Sequence, residues 1–461
     1  MTSSDTLRRV LIANRGEIAV RVARACFDEG IESVAAVSAA DVDSMAARVA
    51  DQSICIGPAS AALSYLHIPA VIAAAIATGC DSIHPGYGFL SERPELAEAC
   101  VEHGLVFVGP PADVIRRGGN KVAAREAARN IGLPVGMGSD HVSDWSAALE
   151  VADRVGYPVL LKAAAGGGGR GMVRVDRGED LCTAFENASR EAQAAFGDGS
   201  LFVERYVGNA RHVEVQILAD MFGTVVHLGE RDCSSQRRYQ KLVEEAPSAG
   251  LPDFLRQSIC ESAVRLAEAL GYVGAGTVEF LVDVDREEYF FLEVNTRVQV
   301  EHPVTEMITG IDIVREQLRI AAGRPLSFAQ SDVQISGHAI ECRLNAEDPR
   351  RGFLPSPGRI DTWTMPAGEG IRVDTHCHDG YVISANYDSM VAKLICWAKD
   401  RPAAIELMAK ALRNVKISGV DTTAELQLAI VQHGDFRADN VNTRWIEERF
   451  LPAWESVGAL V

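Results

Sequence analysis

The hydrophobic pattern of the first 115 or so residues alternates between short β-branched runs and amphipathic stretches. The runs predict strands and the stretches predict helices. The predicted strands are Val10–Ala13, Ser33–Val37, Ile54–Ile56, Ser82–His84 and Val106–Gly109; the other segments are Glu17–Glu29, Ser44–Val49, Ile68–Thr78 and Glu95–His103. This alternation is typical of a parallel sheet wrapped by helices, an α/β fold.

Proline and glycine clusters divide the rest of the chain. Pro110-Pro111 and Gly118-Gly119 predict a boundary near residue 115, and Gly323-Arg324-Pro325 predicts another near 330. Between them lies a second α/β segment with a strand at Pro158–Ala163, and from Leu201 to Val300 a period of two indicates antiparallel strands, followed by a helix at Ile313–Ala322. The last part mixes strands at Gly337–Leu344 and Val391–Trp397 with a helix at Pro402–Asn414.

Composition and charge exclude several classes of protein. The 461 residues suffice for two to four domains, and the formal net charge of −18 opposes nonspecific binding to nucleic acid or anionic lipid. No apolar run reaches the length of a membrane span, and the N-terminus has no charged-then-apolar leader. The ten cysteines form no CxxC pair, which favours reduced thiols and a cytoplasmic protein.

A glycine run follows the predicted strand that ends at Lys162. The run Gly166-Gly167-Gly168-Gly169-Arg170-Gly171 formally satisfies the dinucleotide-binding pattern G-x-G-x-x-G, but Met172–Val175 alternates like a strand where that pattern requires a helix. We therefore expect a flexible lid whose bare amides close over phosphates; a plain long hairpin is the main alternative. No P-loop motif occurs. Lys121 and Lys162, each beside a glycine-rich turn, are candidate phosphate ligands.

Two apolar strands flank the charged turn Asp283–Glu288. If they pair symmetrically about residue 286, Glu279 lies directly opposite Glu293. Facing carboxylates repel each other unless a cation lies between them. Asn295 adds a third oxygen, so the hairpin predicts a Mg²⁺ site for substrate phosphates, with solvated charges as the alternative.

A row of polar residues continues from this hairpin. Glu293, Asn295, Arg297, Gln299 and Glu301 alternate with apolar or small residues and would project to one side of an extended segment. Two similar rows are His212, Glu214 and Gln216, and the run from Glu230 to Lys241. Together they predict an anion site built by several strands.

These motifs resemble those of the biotin carboxylase family of the ATP-grasp superfamily, from about residue 7 to 450. The matching segments are Ile12–Ala19, His84–Glu92, Gly166–Met172, Arg231–Ser234, Gln236–Lys241, Glu244–Pro247, Glu293–Glu306, Phe353–Gly358 and Tyr387–Met390. The resemblance implies a multidomain α/β and α+β protein. Its parts would be an N-terminal Rossmann-like domain (1–115), an ATP-grasp domain (116–330, with a mobile lid at roughly 135–205) and a C-terminal mixed α/β domain (331–461).

The resemblance also implies the roles of site residues. By position, the ATP contacts are Lys121, Lys162, the four flap glycines, Glu204, His212, Gln236 and Tyr239. The Mg²⁺ or Mn²⁺ ligands are Glu279, Glu293 and Asn295. The bicarbonate pocket is formed by Lys241, Arg297, Gln299 and Val300, with Glu301 as general base and Arg343 as the biotin-facing arginine.

The implied reaction is ATP- and bicarbonate-dependent carboxylation of biotin on a carrier protein, through carboxyphosphate. The sequence shows no biotinyl-lysine motif or carboxyltransferase region, so the resemblance implies separate biotin carboxyl carrier and carboxyltransferase subunits, most commonly those of acetyl-CoA carboxylase, and a homodimer. Another acyl-CoA or pyruvate carboxylase, a different ATP-grasp ligase and a catalytically silent ATP-binding protein are the alternatives. Tyr239 stands where the family usually has histidine, Asn120 where it has aspartate and Ala165 where it has glycine.

Overall fold

The N-terminal part is a five-stranded parallel sheet, seen in a computed structural model that describes residues 7–136, 138, 142, 144–163, 172–196 and 198–458. Its strands are β1 (Arg9–Ile12), β2 (Glu32–Ser38), β3 (Gln52–Gly57), β4 (Ser82–His84) and β5 (Val106–Phe107), in the order β3-β2-β1-β4-β5. Its helices are α1 (Gly16–Glu29), α2 (Met45–Val49), α3 (Ile68–Ala77) and α4 (Pro94–Glu102). The predicted parallel sheet is confirmed, since all four strand pairs are parallel. Its central strands are apolar and buried on both faces, as is usual in parallel sheets.

Two helices lead from this sheet into a small separate layer. The helices are α5 (Ala112–Gly119), which covers the boundary predicted near residue 115, and α6 (Lys121–Asn130). The layer contains α7 (Trp145–Val155), β6 (Val159–Ala163), β7 (Met172–Val175), α8 (Gly178–Phe196) and β8 (Leu201–Arg205), with sheet order β7-β6-β8 and a hydrophobic core of its own.

The glycine run joins β6 to β7, which pair antiparallel with Lys162 opposite Met172. The predicted antiparallel strands on either side of the run are confirmed, and a dinucleotide fingerprint is excluded because a strand follows the run. The four flap glycines themselves lie outside the described residues.

An eight-stranded antiparallel sheet forms the centre of the molecule. Before residue 330 it takes β9 (Ala210–Ala219), β10 (Val225–Arg237), β11 (Gln240–Ala246), β12 (Gly274–Asp283) and β13 (Glu288–Asn295). After residue 330 it adds β14 (His338–Asn345), β19 (Ile371–Thr375) and β21 (Met390–Ala398), giving the order β13-β12-β9-β10-β11-β14-β21-β19. The sheet therefore runs without interruption across the boundary predicted near 330.

One helix contradicts the prediction of strands throughout Leu201–Val300. Helix α9 (Asp253–Leu270) lies between β11 and β12 and packs against β9 and β10. Its buried Leu255, Ile259, Ala263 and Leu266 recur at helical spacing, which the general alternation of the region concealed. The helices that follow β13 are α10 (His302–Thr309) and α11 (Ile313–Ala321).

Short strands and helices complete the C-terminal part. The strands are β15 (Glu347–Asp348), β16 (Leu354–Pro355), β17 (Gly358–Arg359), β18 (Thr362–Thr364), β20 (Val382–Ile383) and β22 (Lys416–Ser418). The helices are α12 (Arg401–Arg413), α13 (Ala424–Gln432), α14 (Gly434–Arg437) and α15 (Leu451–Gly458). Among the helices described, none has the length and apolarity needed to cross a membrane.

Candidate active site

A cavity of about 1400 Å³ opens where the N-terminal part, the small layer and the central sheet meet. Every predicted site residue that the structure describes lines it. These residues are Lys121, Lys162, Glu204, His212, Gln236, Tyr239, Lys241, Glu279, Glu293, Asn295, Arg297, Gln299, Val300, Glu301 and Arg343. Residues more than 200 positions apart in the sequence, such as Lys121 and Arg343, therefore face one space.

Lys241 occupies the centre of a group of buried carboxylates. Its Nζ lies 2.5 Å from Glu214, 2.5 Å from Glu301 and 3.4 Å from Glu279. Burial would lower the pKa of Lys241, but the surrounding acidic groups, Cys233 included, raise it well above its usual value. The ammonium is therefore charged. It links β11 to Glu214 on β9, to Glu279 on β12 and to Glu301 just before α10.

Glu301 lies between two cations. Lys241 contacts its Oε1, and Nη2 of Arg343 donates to its Oε2 at 2.9 Å. Burial would raise the pKa of Glu301, but Lys241 and Arg343 together hold it well below the usual range. The group is thus a carboxylate, the form that a general base requires.

The carboxylate hairpin has the predicted partners but a different register. Glu279 pairs with Glu293, whereas nearer the turn Phe280 pairs with Phe291, so that Leu292 forms a bulge. The bulge, not symmetry about residue 286, brings the two glutamates opposite each other.

The predicted metal ligands make unequal contacts. Nδ2 of Asn295 donates to Oε1 of Glu279 at 2.9 Å, and Nε2 of His212 lies 2.8 Å from Oε2 of Glu279. Burial would raise the pKa of Glu279, but Lys241 and His212 lower it strongly. Glu293 is more exposed and its Oε2 lies 3.3 Å from Lys121. The set offers carboxylate and amide oxygens, the hard donors that fit Mg²⁺.

The polar row from Glu293 to Glu301 is not a single extended segment, which corrects the prediction. Strand β13 ends at Asn295, the chain then turns, and Glu301 stands at the start of α10. All five side chains nevertheless line the cavity. The turn after β13, and not the alternation of an extended strand, points the later ones towards it.

Arg297 is positioned by a residue to which sequence reasoning gave no role. Its Nε donates to Oε2 of Glu92 at 2.8 Å, while its other nitrogens donate to Asn295 at 3.2 Å and Gln299 at 2.9 Å. Glu92 ends the motif that begins at His84, but the sequence shows no link between that motif and residue 297.

The predicted nucleotide contacts line the same cavity. Nζ of Lys162 donates to Glu204, which also lies 3.5 Å from Arg125. Burial would raise the pKa of Glu204, but Lys162 lowers it. Tyr239 is 60% exposed at the tip of the β10–β11 hairpin, and its hydroxyl lies 3.9 Å from the sulfur of Met172 in the small layer.

Two buried cations do not line the cavity. The sequence indicated Arg231 only as part of the polar run from Glu230 to Lys241, and it gave Lys393 no role. Arg231 has no exposed surface and donates to Glu214 at 2.6 Å, to Gln216 at 2.8 Å and to Thr305 at 3.0 Å. Lys393, equally buried, donates to the Val300 carbonyl at 2.7 Å and lies 3.0 Å from Glu17. A charged residue in an apolar strand was the available signal, but its partners could not be read from the sequence.

Models of three protein families match the chain in succession. They are the biotin carboxylase N-terminal domain at residues 6–115, the carbamoyl-phosphate synthase L chain ATP binding domain at 120–329, and the biotin carboxylase C-terminal domain at 341–448. The biotin carboxylase of Haemophilus influenzae is 50% identical over 446 residues, which cover 96% of this chain and 99% of that protein. The chloroplastic biotin carboxylase of Arabidopsis thaliana is 48% identical, over 95% of this chain and 82% of that one.

Solved structures show the same fold. A biotin carboxylase from Campylobacter jejuni in a β,γ-ATP complex has a TM-score of 0.88 at 46% identity, covering 96% of this chain and 99% of that one. The biotin carboxylase domain dimer of Hydrogenobacter thermophilus 2-oxoglutarate carboxylase, in complex with MgADP, ADP and bicarbonate, has a TM-score of 0.86 at 46% identity, covering 96% and 98%. The biotin carboxylase subunit of a pyruvate carboxylase has a TM-score of 0.88 at 45% identity, covering 98% and 99%. With all three family models in order and half of its residues shared with a full-length relative, this chain belongs to the biotin carboxylase family.

Proposed function

We propose that this biotin carboxylase uses ATP and bicarbonate to carboxylate biotin on a carrier protein, as the first half-reaction of acetyl-CoA carboxylase. The observation that carries the proposal is the position of Glu301 between Lys241 and Arg343 inside the shared cavity. A base, an anion-binding ammonium and a guanidinium in contact are the groups that proton abstraction from bicarbonate and stabilisation of a biotin oxyanion require.

Bicarbonate is a weak nucleophile, so its activation is the first task. Arg297 offers a planar fork to the anion, and Gln299 and the Val300 amide complete the pocket beside it. Glu301 takes the bicarbonate proton while the oxygen attacks the γ-phosphorus of ATP, and ADP leaves as carboxyphosphate forms. Lys241 holds the incoming anion next to the base.

The nucleotide end of the cavity offsets the charge of the transferring phosphoryl group. Glu279, Glu293 and Asn295 would hold Mg²⁺ or Mn²⁺, which when bound neutralises phosphate charge. Lys121, Lys162, Glu204, His212, Gln236 and Tyr239 surround the space assigned to ATP. The four flap glycines lie outside the described residues, and their role as a lid that limits hydrolysis of carboxyphosphate stays a prediction from the resemblance.

The second step transfers CO₂ to biotin. Carboxyphosphate breaks down to CO₂ and phosphate, and the phosphate draws the N1′ proton from the ureido ring. Arg343 stabilises the negative charge that develops on the ureido oxygen. The new N1′–C bond then forms with CO₂.

The acceptor of the carboxyl group is the finer part of the proposal. Acetyl-CoA carboxylase is the commonest assembly that uses a separate biotin carboxylase chain. A relative of nearly the same length, from Haemophilus influenzae, is named simply biotin carboxylase, which agrees with a separate chain. The likeness to the domains of 2-oxoglutarate and pyruvate carboxylases makes these the alternative assemblies. We infer a homodimer, supported by the dimer of the 2-oxoglutarate carboxylase domain.

Free biotin tests the half-reaction. We expect ATP cleavage by the purified chain to require Mg²⁺ and bicarbonate and to rise on adding biotin. ATP cleavage dependent on an amine instead would favour a different ATP-grasp ligase. Carrier and carboxyltransferase chains that co-purify with this protein, assayed with acetyl-CoA and with pyruvate, would identify the acceptor.

A further inference from the structure

Two buried glutamates face each other behind Arg343. Glu244 on β11 and Glu341 on β14 are directly opposite in the antiparallel register, and neither has exposed surface. Both carboxylate oxygens of Glu341, and Oε2 of Glu244, are buried without a hydrogen-bond partner among the described residues. Three unpartnered acceptor atoms at one cross-strand position require an explanation, because a buried carboxylate without a donor is costly.

The neighbouring cations are committed elsewhere. Arg343 donates from Nε to Oε1 of Glu244 at 2.6 Å and from Nη2 to Glu301. Lys393 lies beside Glu17 and the Val300 carbonyl, and within the described chain no cation forms an ion pair with Glu341. The charged and titratable groups that act on the pair are Arg343 on β14, Lys393 on β21, Lys241 on β11, Glu301 before α10, and Tyr87.

A proton between the two carboxyl groups satisfies this arrangement. One protonated group supplies the missing donor, and it removes the repulsion between two charges at cross-strand distance. We propose that Glu341 is held as a carboxylic acid that donates a hydrogen bond to Oε2 of Glu244, and that Glu341 thereby acts as a positioning residue for Arg343 in biotin carboxylation. This inference rests on the biotin-facing role proposed for Arg343.

The electrostatics of the site agree with this geometry. Burial raises the pKa of Glu341 well above its usual value, and burial raises the pKa of Glu244 to about 7 although Arg343 opposes the shift. With Glu341 neutral, Glu244 fixes the guanidinium through its other oxygen, and Arg343 keeps positive charge for the ureido oxygen. When the shared proton is lost at alkaline pH, the carboxylates repel each other and the support of Arg343 loosens.

Two substitutions of Glu341 separate hydrogen bonding from packing. Glu341→Leu removes the donor, so we expect kcat/KM for biotin to fall at least tenfold while KM for ATP is unchanged. Glu341→Gln keeps a donor that cannot ionise, so it should recover most of that loss. In Glu341→Gln the alkaline fall of biotin-dependent turnover should also move up by at least one pH unit. Glu316→Gln is the matched control, since Glu316 is buried against Arg319 away from the cavity.

Infrared spectroscopy reads the proton without turnover. The wild-type protein should show the C=O stretch of a buried carboxylic acid at neutral pH, and Glu341→Gln should lack it. The proposal is overturned if Glu341→Gln keeps that band, has an unchanged alkaline limb, or is as impaired as Glu341→Leu while folded. Arg343→Lys separates the two ideas: unchanged biotin kinetics there would remove the proposed role of Arg343, and the infrared band would still report on Glu341.

Discussion

Nζ of Lys241 lies 2.5 Å from Oε1 of Glu301 at the centre of the cavity. The ammonium has two further carboxylates within reach, Glu214 and Glu279, so it can stay in place when Glu301 turns to bicarbonate. Its positive charge keeps Glu301 ionised, yet a base in contact with a cation is a weaker proton acceptor. We therefore propose that Glu301 becomes a stronger proton acceptor when it turns from Lys241 to bicarbonate, while Glu214 and Glu279 keep the ammonium in place.

Replacing the base tests this arrangement directly. We expect Glu301→Gln to lower bicarbonate-dependent ATP cleavage by on the order of 10²–10⁴-fold, the usual contribution of a positioned base. Nucleotide binding, measured by titration with a non-hydrolysable ATP analogue, should be unaffected. Unchanged turnover would rule out Glu301 as the base.

The contact of Glu92 with Arg297 predicts an effect on bicarbonate alone. Glu92→Ala frees the guanidinium that Oε2 of Glu92 holds at 2.8 Å. We expect KM for bicarbonate to rise about tenfold, which corresponds to about 1.4 kcal/mol, while KM for ATP stays the same. Glu95→Ala is the control, because Glu95 forms a salt bridge with Arg93 and both side chains are exposed. An equal rise in both KM values would show that the loss is structural.

Most of the helices and strands could be predicted from the sequence, because the buried face of each element shows in the sequence as a regular spacing of apolar residues. Strands β1 to β4 were found because each is a short apolar run, and the Glu279–Glu293 pairing because a hairpin brings near neighbours together. Helix α9 was missed because the period of two was assigned to the whole of Leu201–Val300. The 18 residues of the helix, which follow the helical period instead, were not considered separately. The bulge at Leu292 was missed because nothing in the side chains there demands an extra residue.

Site residues could be predicted where they belong to a sequence motif. Residues whose role depends on a contact between distant segments could not. Glu301 and Lys241 stand in long motifs that the resemblance could place. The contacts of Glu92 with Arg297 and of Lys393 with Val300 join segments 205 and 93 residues apart. Only the folded sheet makes such pairs neighbours, so no local pattern records them.

Lys393 provides a test of buried charge. It is fully buried and lies 3.0 Å from Glu17, so Lys393→Met leaves a buried carboxylate without its partner. The free energy of unfolding should fall by about 3–5 kcal/mol, measured from urea unfolding. The double variant Glu17→Gln/Lys393→Met should recover most of that loss, because it removes both charges. A double variant no more stable than the single one would mean that packing, not charge, is responsible.

A glycine substitution at the tip of the β10–β11 hairpin should change the stability of the protein. Arg238 and Tyr239 have φ of 48° and 65°, a left-handed conformation that costs an L-residue about 1–2 kcal/mol. Tyr239→Gly should therefore raise the thermal unfolding midpoint. Gly223→Ala, at φ 91° in the neighbouring β9–β10 turn, should lower it. If Tyr239→Gly also raises KM for ATP, the tyrosine contributes to the nucleotide site despite replacing the family's histidine.

Glu245 predicts how stability changes in acid. It is fully buried, lies 2.8 Å from Nε2 of His338 and accepts from Nε of Arg401 at 2.6 Å. Burial would raise the pKa of Glu245, but His338 and Arg401 lower it from 4.5 to about 2. A folded pKa below the unfolded one stabilises the protein above the unfolded pKa, and this contribution is lost as pH falls from about 4.5 to about 2.

The lowered pKa of Glu245 corresponds to a contribution of about 3 kcal/mol to the free energy of unfolding at neutral pH. Glu245→Gln should therefore unfold at lower urea than the wild type at pH 7, and the difference between them should shrink as pH falls towards 3. Glu406→Gln is the matched control, because Glu406 is 61% exposed beside Arg437 and a surface pair contributes about 1 kcal/mol or less. A difference that stays constant from pH 7 to pH 3 would mean that Glu245 acts through packing rather than through its charge.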